Sequence, residues 1–362
     1  MSAIGFVGPP NVGKSTLFKA CTNRMSVEIE NRPFSTIEPN ISIVFVPDPR
    51  LSELAQIVKP KKTTHAILKF VDIAGLVAGA SKGEGLGNKF LAHIREVDAI
   101  LHIVRCFVDP DIIHVMGKVD PIADIEIIHT ELILADLQTI ERALMNLKAA
   151  VKSGDKTAHM TATLLQQVRA HLDQGHLMQS LILDQEAHTL LKPFQFLTLK
   201  PMLYLANVHE DGFSNNLFLT ALTEYIAKQN MIVMPVCAKL ESELSELTAE
   251  ERQEFLQTFS FTETILDRII HTSYNLLQQS FFTVGVQEVR SWTIAKGASA
   301  LEAAACIHTD FAKGFIRAEV VSYQDFIQHQ GLPAAKKAGK LRLEGRDYRV
   351  QDGDIIHFLF NI

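Results

Sequence analysis

The order of apolar and polar stretches along the chain changes near residue 281. Before this point, short apolar runs that end in glycine, aspartate or asparagine alternate with helical segments, which is typical of an α/β fold with a parallel sheet. After it, short strands surround one helix, so we expect a β-rich module. The strands predicted in the first part cover residues 3–7, 67–71, 201–206 and 231–238.

A helical insertion interrupts the α/β pattern. Between residues 125 and 151, apolar side chains recur at every third or fourth position. Gly154 and Asp155 break this pattern, and a second run begins at Leu164. Two antiparallel helices explain both runs, and their length argues against ordinary helices of the α/β domain. We therefore expect an inserted helical hairpin over residues 122–197.

The domain boundaries follow from these patterns. We predict a nucleotide-binding domain over residues 1–280, which the insertion interrupts, and a second domain over residues 281–362. Within the second domain, strands are expected at the start and the end, with a basic loop over residues 333–349 between them.

Composition narrows the setting and the partners. The net charge of −6 gives no broad positive field for nucleic acid, so we expect no DNA partner. The loop at 333–349, however, carries six Lys and Arg against two acidic residues, so it is either a contact for RNA phosphates or an ordinary solvated loop. Four scattered cysteines favour reduced thiols, we expect no leader, and no apolar run approaches about 20 residues. We expect a cytoplasmic protein with no membrane partner.

Residues 8–15, GPPNVGKS, form the clearest motif in the chain. They match the pattern of a phosphate-binding loop between a strand and a helix. Gly8 and Gly13 let the backbone turn its N–H groups toward phosphate oxygens, and the helix N-terminus adds a positive dipole end. Lys14 supplies a cation to the β- and γ-phosphates, and Ser15 offers a hydroxyl to Mg²⁺.

Two further positions fit a magnesium nucleotide. Asp72 stands at the end of an apolar strand, where a carboxylate holds Mg²⁺, usually through water. Gly75 offers a backbone N–H to the γ-phosphate. Thr36 is either a second hydroxyl ligand of Mg²⁺, in a loop ordered by the γ-phosphate, or a plain loop threonine.

The residue after this glycine predicts slow hydrolysis. Many regulatory GTPases place a glutamine there to orient the attacking water, whereas this chain has Leu76. Leucine forms no hydrogen bond with water, so another group or a partner must compensate. Glycines recur between residues 75 and 87, which indicates a second switch loop.

The stretch LANVHED lies where a GTPase ends a strand with Asn-Lys-x-Asp. Here Asn207 is present, but Val208 takes the lysine place and Glu210 the aspartate place. The fork that an aspartate offers to guanine is therefore lost, and adenine becomes acceptable. Asp211 is an alternative acceptor that keeps guanine open. Backbone N–H groups of residues 237–239 are a further candidate contact with the base.

Together, the segments GPPNVGKSTLF, PFSTIEPN, DIAGLVAGASKGEGLGNKFL, NVHED and HTDFAKGFIRAEV resemble the Obg-like ATPase (YchF) family over essentially the whole chain. The resemblance implies a GTPase-like P-loop NTPase domain of the OBG type. It also implies a coiled-coil insertion and a C-terminal TGS domain, which is a ubiquitin-like β-grasp. It further implies a preference for ATP over GTP and association with the ribosome.

The resemblance also implies residue roles. Residues 11–16 would wrap the phosphates: Asn11, Val12, Gly13, Lys14, Ser15 and Thr16. Ser15 and Thr36 would bind Mg²⁺, and Val208 would make a backbone contact with adenine. A histidine would replace the missing glutamine, which in this chain would be His114. An imidazole can orient water or stabilise developing charge, but a loop histidine without a catalytic task remains an alternative.

These observations lead to a main hypothesis and two alternatives. The main hypothesis is an ATP-hydrolysing switch, with Mg²⁺ as cofactor, whose nucleotide state governs its binding to the ribosome. The large subunit and its rRNA are the expected contacts. The alternatives are a nucleotide-gated scaffold with vestigial hydrolysis, which Leu76 favours, and a GTPase.

Overall fold

The computed structural model describes residues 2–25, 41–73, 86–114, 117–258 and 263–361. Within these ranges the chain forms two six-stranded sheets. In the same ranges, no helix is both long enough and apolar enough to cross a membrane.

The strands follow one another along the chain with helices between them. In chain order the strands are β1 (Ala3–Val7), β2 (Ile41–Phe45), β3 (Lys62–Thr64), β4 (Ile67–Asp72), β5 (Ala99–Arg105), β6 (Met202–Asn207), β7 (Ile232–Val236), β8 (Gln278–Val284), β9 (Glu288–Ala295), β10 (Phe315–Val321), β11 (Arg342–Glu344) and β12 (Ile355–Phe360). The helices up to the second sheet are α1 (Lys14–Met25), α2 (Pro49–Val58), α3 (Leu86–Glu96), α4 (Pro121–Lys152), α5 (Lys156–Asp173), α6 (Gln185–Leu191), α7 (Leu217–Ala227), α8 (Ala238–Glu246), α9 (Ala249–Thr258) and α10 (Ile265–Leu277). Those that follow are α11 (Ala300–Ile307), α12 (Thr309–Lys313), α13 (Tyr323–Gln328) and α14 (Leu332–Lys337).

The first sheet has the strand order β2-β4-β1-β5-β6-β7. All neighbours run parallel except β2, which is antiparallel to β4. Every residue of β1, β5 and β6 is buried, as expected for parallel strands covered by helices on both faces. The predicted α/β fold is therefore confirmed. The last predicted strand is shorter than expected, because Cys237 already caps α8 and Ala238 begins it.

The helical pair has the predicted form. Helix α4 contains 32 residues and α5 contains 18, and the two pack against each other. Gly154 turns the chain between them with φ +85°, and the side chain of Asp155 accepts a hydrogen bond from the Ala158 N–H to cap α5. The second helix begins at Lys156, eight residues before the periodic run, because the cap rather than the first leucine sets its start. The first two thirds of α4 are embedded in the core of the first sheet.

The second sheet has the strand order β11-β10-β12-β8-β9-β3. Its outer strand β3 comes from the first part of the chain and pairs in parallel with β9. Helix α2 accompanies it, because Leu51 and Leu54 are fully buried in a cluster with residues of the second sheet such as Phe282. The sequence patterns did not predict that β3 and α2 would pack with the second sheet.

The junction between the two sheets is polar as well as apolar. Arg50 Nη1 lies 2.8 Å from Asp352 Oδ2, and its Nη2 lies 2.9 Å from Asp48 Oδ2. Burial opposes the charge of Arg50, but hydrogen bonds to both carboxylates outweigh it and raise its pKa. The hydroxyl of Tyr323 donates to Glu53 over 2.6 Å.

The predicted basic loop at 333–349 is wrong as a loop. Pro333 lies in the first turn of α14, which begins after Gly331 and buries Ala335. Strand β11 then pairs with β10. The lysines and arginines of this stretch therefore project from a short helix, a strand and the turns between them.

Candidate nucleotide-binding site

The carboxyl ends of the parallel strands converge at one edge of the first sheet, where α/β folds place their ligands. The loop between β1 and α1 lies at this edge. Gly13 has φ +93°, and a Cβ there would lie 2.3 Å from the Asn207 amide nitrogen. A Cβ at Gly8 would lie 2.6 Å from the Ile103 carbonyl oxygen. Both positions therefore require glycine for close packing of the loop on the neighbouring strands.

Three side chains meet behind this loop. The Ser15 hydroxyl donates to Asp72 Oδ2 over 3.1 Å, and Lys14 Nζ lies 3.9 Å from Asp72 Oδ1. Burial lowers the pKa of Lys14, and the nearby Asp72 carboxylate opposes that shift. The Oδ1 atom of Asp72 is buried and accepts no hydrogen bond from the described residues. A buried carboxylate oxygen beside a serine hydroxyl is a donor set that suits Mg²⁺.

Asn207 connects the phosphate loop to the predicted base loop. Its Nδ2 donates to the Val12 carbonyl over 2.8 Å, and its Oδ1 accepts from the Ala238 N–H over 3.0 Å. The side chain is buried, so both bonds are shielded from water. This asparagine thus fixes the distance between the two loops, in addition to any contact with a ligand.

The residues in the base positions are already engaged. Val208 is buried, and its N–H donates to the Val236 carbonyl over 2.8 Å. Glu210 Oε1 lies 2.8 Å from Lys239 Nζ, and this hydrogen bond lowers the pKa of Glu210. Asp211 Oδ1 lies 2.9 Å from His209 Nδ1. The sequence patterns did not predict that Lys239, from the neighbouring loop, would hold Glu210.

His114 lies close to the phosphate loop through its backbone but not through its side chain. The Asn11 amide donates to the carbonyl of Ile113, the preceding residue, over 3.2 Å. The imidazole itself is buried, with Nε2 3.0 Å from Asp124 Oδ2 in the first turn of α4. Burial raises the pKa of Asp124, and its hydrogen bond with His114 opposes that shift.

Arg105 shapes the loop that carries His114. It ends the buried strand β5, and its guanidinium donates to the carbonyls of Phe107, Asp109 and Ile112 at 3.0–3.3 Å. Sequence reasoning did not select Arg105 or Asp124. Charged residues at the end of a buried strand and in the first turn of the following helix were the available signal.

The remaining phosphate-loop candidates are where the sequence placed them. Within the loop, the Val12 side chain is fully buried, whereas Ser15 and Thr16 are exposed at the start of α1. Thr36 and Gly75, with Leu76, lie outside the described residues. The assignments of Thr36 as a magnesium ligand, of Gly75 as a phosphate contact and of Leu76 as the residue in the glutamine position stay predictions.

The fold and this site define a P-loop nucleotide-binding protein of the GTPase-like class. A family model described as a 50S ribosome-binding GTPase matches residues 3–134. A model for the C-terminal part of YchF GTPases, described as a protein of unknown function, matches residues 278–361.

Several curated proteins named Ribosome-binding ATPase YchF align with nearly the whole chain. The protein from Haemophilus influenzae is 56% identical over 359 residues, which cover 99% of both chains. Those from Escherichia coli O157:H7 and Bacillus subtilis are 53% and 51% identical, again with 99% of both chains covered. The chain belongs to the YchF family.

Solved structures agree with this assignment. The structure of the Schizosaccharomyces pombe YchF GTPase has a TM-score of 0.87 at 37% identity, and the match covers 99% of this chain and 97% of that one. A GTP binding protein from Pyrococcus horikoshii OT3 has a TM-score of 0.62 at 20% identity over all of both chains, which shows the shared fold.

Proposed function

We propose that this protein is an ATP-hydrolysing switch that associates with the ribosome in a nucleotide-dependent way. The observation that carries the choice of ATP is the pair of residues in the base position. Val208 is buried and offers no cation, and the carboxylate of Glu210 is held by Lys239. The curated relatives are named ribosome-binding ATPases, which supports the same activity.

The base preference follows from which hydrogen-bond donors of the base find acceptors in the protein. Guanine presents two adjacent donors, N1–H and the 2-amino group, and leaving both unpaired in a binding site is costly. Adenine lacks these donors and tolerates an apolar wall with backbone contacts. The alternative, a GTPase, requires Asp211 to accept both donors. The fission yeast relative is titled a GTPase, so this alternative is tested directly.

The phosphates and the metal have natural partners in the described site. Residues 11–16 would wrap the phosphates, and Lys14 would neutralise the β- and γ-phosphates. Ser15 and Asp72 would hold Mg²⁺, with Thr36 completing the set. When bound, this ion withdraws charge from the phosphate oxygens during cleavage. Gly75 would add an N–H to the γ-phosphate.

We assign hydrolysis to His114. Its imidazole would orient water or stabilise charge, which Leu76, in the position of the usual glutamine, cannot do. A scaffold with vestigial hydrolysis is the second candidate, and the burial of His114 against Asp124 favours it.

The ribosome contact is proposed at the C-terminal domain over residues 281–362, a TGS domain, with the large subunit and its rRNA as the target. Lys336, Lys340 and Arg342 already form ion pairs within this domain. We therefore assign contact with rRNA phosphates chiefly to the exposed residues Lys337 and Arg346. A cytoplasmic location follows from this partner.

The base preference is tested by equilibrium binding of fluorescent ATP and GTP analogues in the presence of Mg²⁺. We expect clear preference for ATP in the natural chain. The double substitution Val208→Lys and Glu210→Asp, which restores the GTPase pattern, is expected to raise GTP affinity at least tenfold relative to ATP, about 1.4 kcal/mol. Asp211→Asn is the matched control for charge and should leave the preference unchanged.

Equal or stronger binding of GTP by the natural chain would contradict the proposal. If Asp211→Asn then removed GTP binding, Asp211 would be the guanine acceptor and the protein a GTPase.

A further inference from the structure

The segment Ile113–His114 has an unusual distribution of burial. Ile113 is 79% exposed, whereas His114 is only 8% exposed. Isoleucine is usually buried, and a buried histidine needs a polar partner. The segment thus exposes the apolar side chain of Ile113 to water and buries the polar side chain of His114. Such a local conflict is expected where a segment has a second, functional position.

Asp124 is a hydrogen-bond partner of the buried His114 imidazole. His114 Nε2 lies 3.0 Å from Asp124 Oδ2, and both side chains are almost fully buried. Asp124 itself belongs to a fixed part of the molecule. The same helix is tied to the first sheet by His129, whose Nε2 lies 2.7 Å from the Tyr204 hydroxyl. Asp136 ties the helix to the segment that precedes β6, since it accepts hydrogen bonds from the backbone N–H groups of Leu197 and Thr198 at 2.9 and 2.8 Å.

The loop, in contrast, has space beside it. A cleft of about 480 Å³ is bordered by Ile113 and His114 themselves and also by Arg105, Lys118 and Phe218, among others. Arg105 holds the upstream part of the loop through three carbonyls, of which Ile112 is the last. The peptide unit between Ile113 and His114 is bonded to Asn11 of the phosphate loop. A change at the phosphate loop therefore reaches this peptide unit directly.

We propose that Asp124 is a positioning residue that latches His114 in a withdrawn, inactive position. Release from Asp124 turns the imidazole toward the phosphates and turns the Ile113 side chain inward, against the apolar part of the cleft that it borders. The natural chain populates mainly the latched position in the absence of ATP, so its turnover is held below what His114 can support. This inference rests on the proposed role of His114 in hydrolysis.

The test uses Asp124→Ala in the full-length chain. Loss of the latch carboxylate is expected to raise ATP turnover about threefold to tenfold, because it shifts the population toward the released position. In the double variant with His114→Ala the gain should disappear. Asp120→Asn is the matched control: it removes a charge at the same helix end, while asparagine still caps α4. Asp124→Leu, which is similar in size and has no hydrogen-bonding atom, serves if the alanine variant does not fold.

A second readout does not depend on turnover. Diethylpyrocarbonate acylates accessible imidazoles, and mass spectrometry of the His114 peptide separates it from the other 13 of the 14 histidines. We expect faster labelling of His114 in Asp124→Ala than in the natural chain or in Asp120→Asn. Ile113→Ser, which makes the latched position more favourable, should slow both the labelling and the turnover.

The outcomes separate the latch from the proposed function. Unchanged labelling in Asp124→Ala overturns the latch. Faster labelling with turnover that neither Asp124→Ala nor His114→Ala alters leaves the latch in place and overturns the hydrolytic role of His114. Turnover that falls in Asp124→Ala to the level of His114→Ala means that Asp124 orients an active imidazole, which also overturns the latch.

Discussion

The two sheets of this protein differ in how closely the arrangement of their strands and polar groups follows the order of the chain. In the first sheet, strands β1, β4, β5 and β6 each deliver a polar group at the same edge: the phosphate loop, Asp72, Arg105 and Asn207. The second sheet takes its outer strand β3 from more than 200 residues earlier in the chain. Motifs at strand ends thus reveal a site, whereas long-range strand pairing leaves little trace in the sequence.

The largest expected effect is confined to the first sheet. Lys14→Ala removes the buried cation of the phosphate loop, so affinity for ATP should fall about 100-fold or more, about 2.7 kcal/mol. Fluorescent nucleotide titration measures this change. Lys19→Ala, an exposed lysine of the same helix, is the control and should bind normally. Comparable losses in both variants would mean that Lys14 acts through the fold rather than through phosphate.

The junction between the sheets comes next in size. Arg50→Ala leaves the buried Asp48 without its guanidinium partner and cuts the link to Asp352, so unfolding should become easier by about 2–3 kcal/mol. Denaturant unfolding measures the loss. Arg169→Ala, which removes exposed ion pairs on α5, should cost less than about 1 kcal/mol. A similar cost for both would show that the two sheets are not held together by this contact.

The smallest effect is expected in the second sheet. Reversal of charge at Lys337 and Arg346 should weaken cosedimentation with ribosomes about threefold to tenfold, and added salt should reduce the difference. ATP binding should not change. The same reversal at Lys148 and Lys152, near the end of α4, is a control for charge alone. If only this control pair lowered cosedimentation, the ribosome contact would lie on the helical pair.

The predictability of the site differs from one residue to another. Gly13, Lys14, Ser15, Asp72 and Asn207 could be placed at one end of the sheet from the sequence, because each occupies a fixed position relative to a buried strand. The partners Asp124 and Lys239 come from other elements, and no local pattern indicates which side chain they meet.

The fold was predicted to a similar extent. Four of the six strands of the first sheet, β1, β4, β6 and β7, follow from their apolar runs and differ by at most two residues at their ends, whereas β2 and β5 were not predicted. The structured form of the basic stretch was missed, because its helix and strand have only six and three residues. Short elements are fixed by neighbours such as β10 rather than by their own periodicity.

The pairing of β3 with β9 also has a consequence for biosynthesis. Thr64 and Glu288, which meet at 2.5 Å, are separated by 224 positions. The N-terminal end of the chain is synthesised first, so the residues of α2 and β3 are made long before the strands that will cover them. Contacts of such high sequence separation close late and slowly. Until the last 80 or so residues are translated, Leu51 and Leu54 have no apolar surface of the second sheet to pack against.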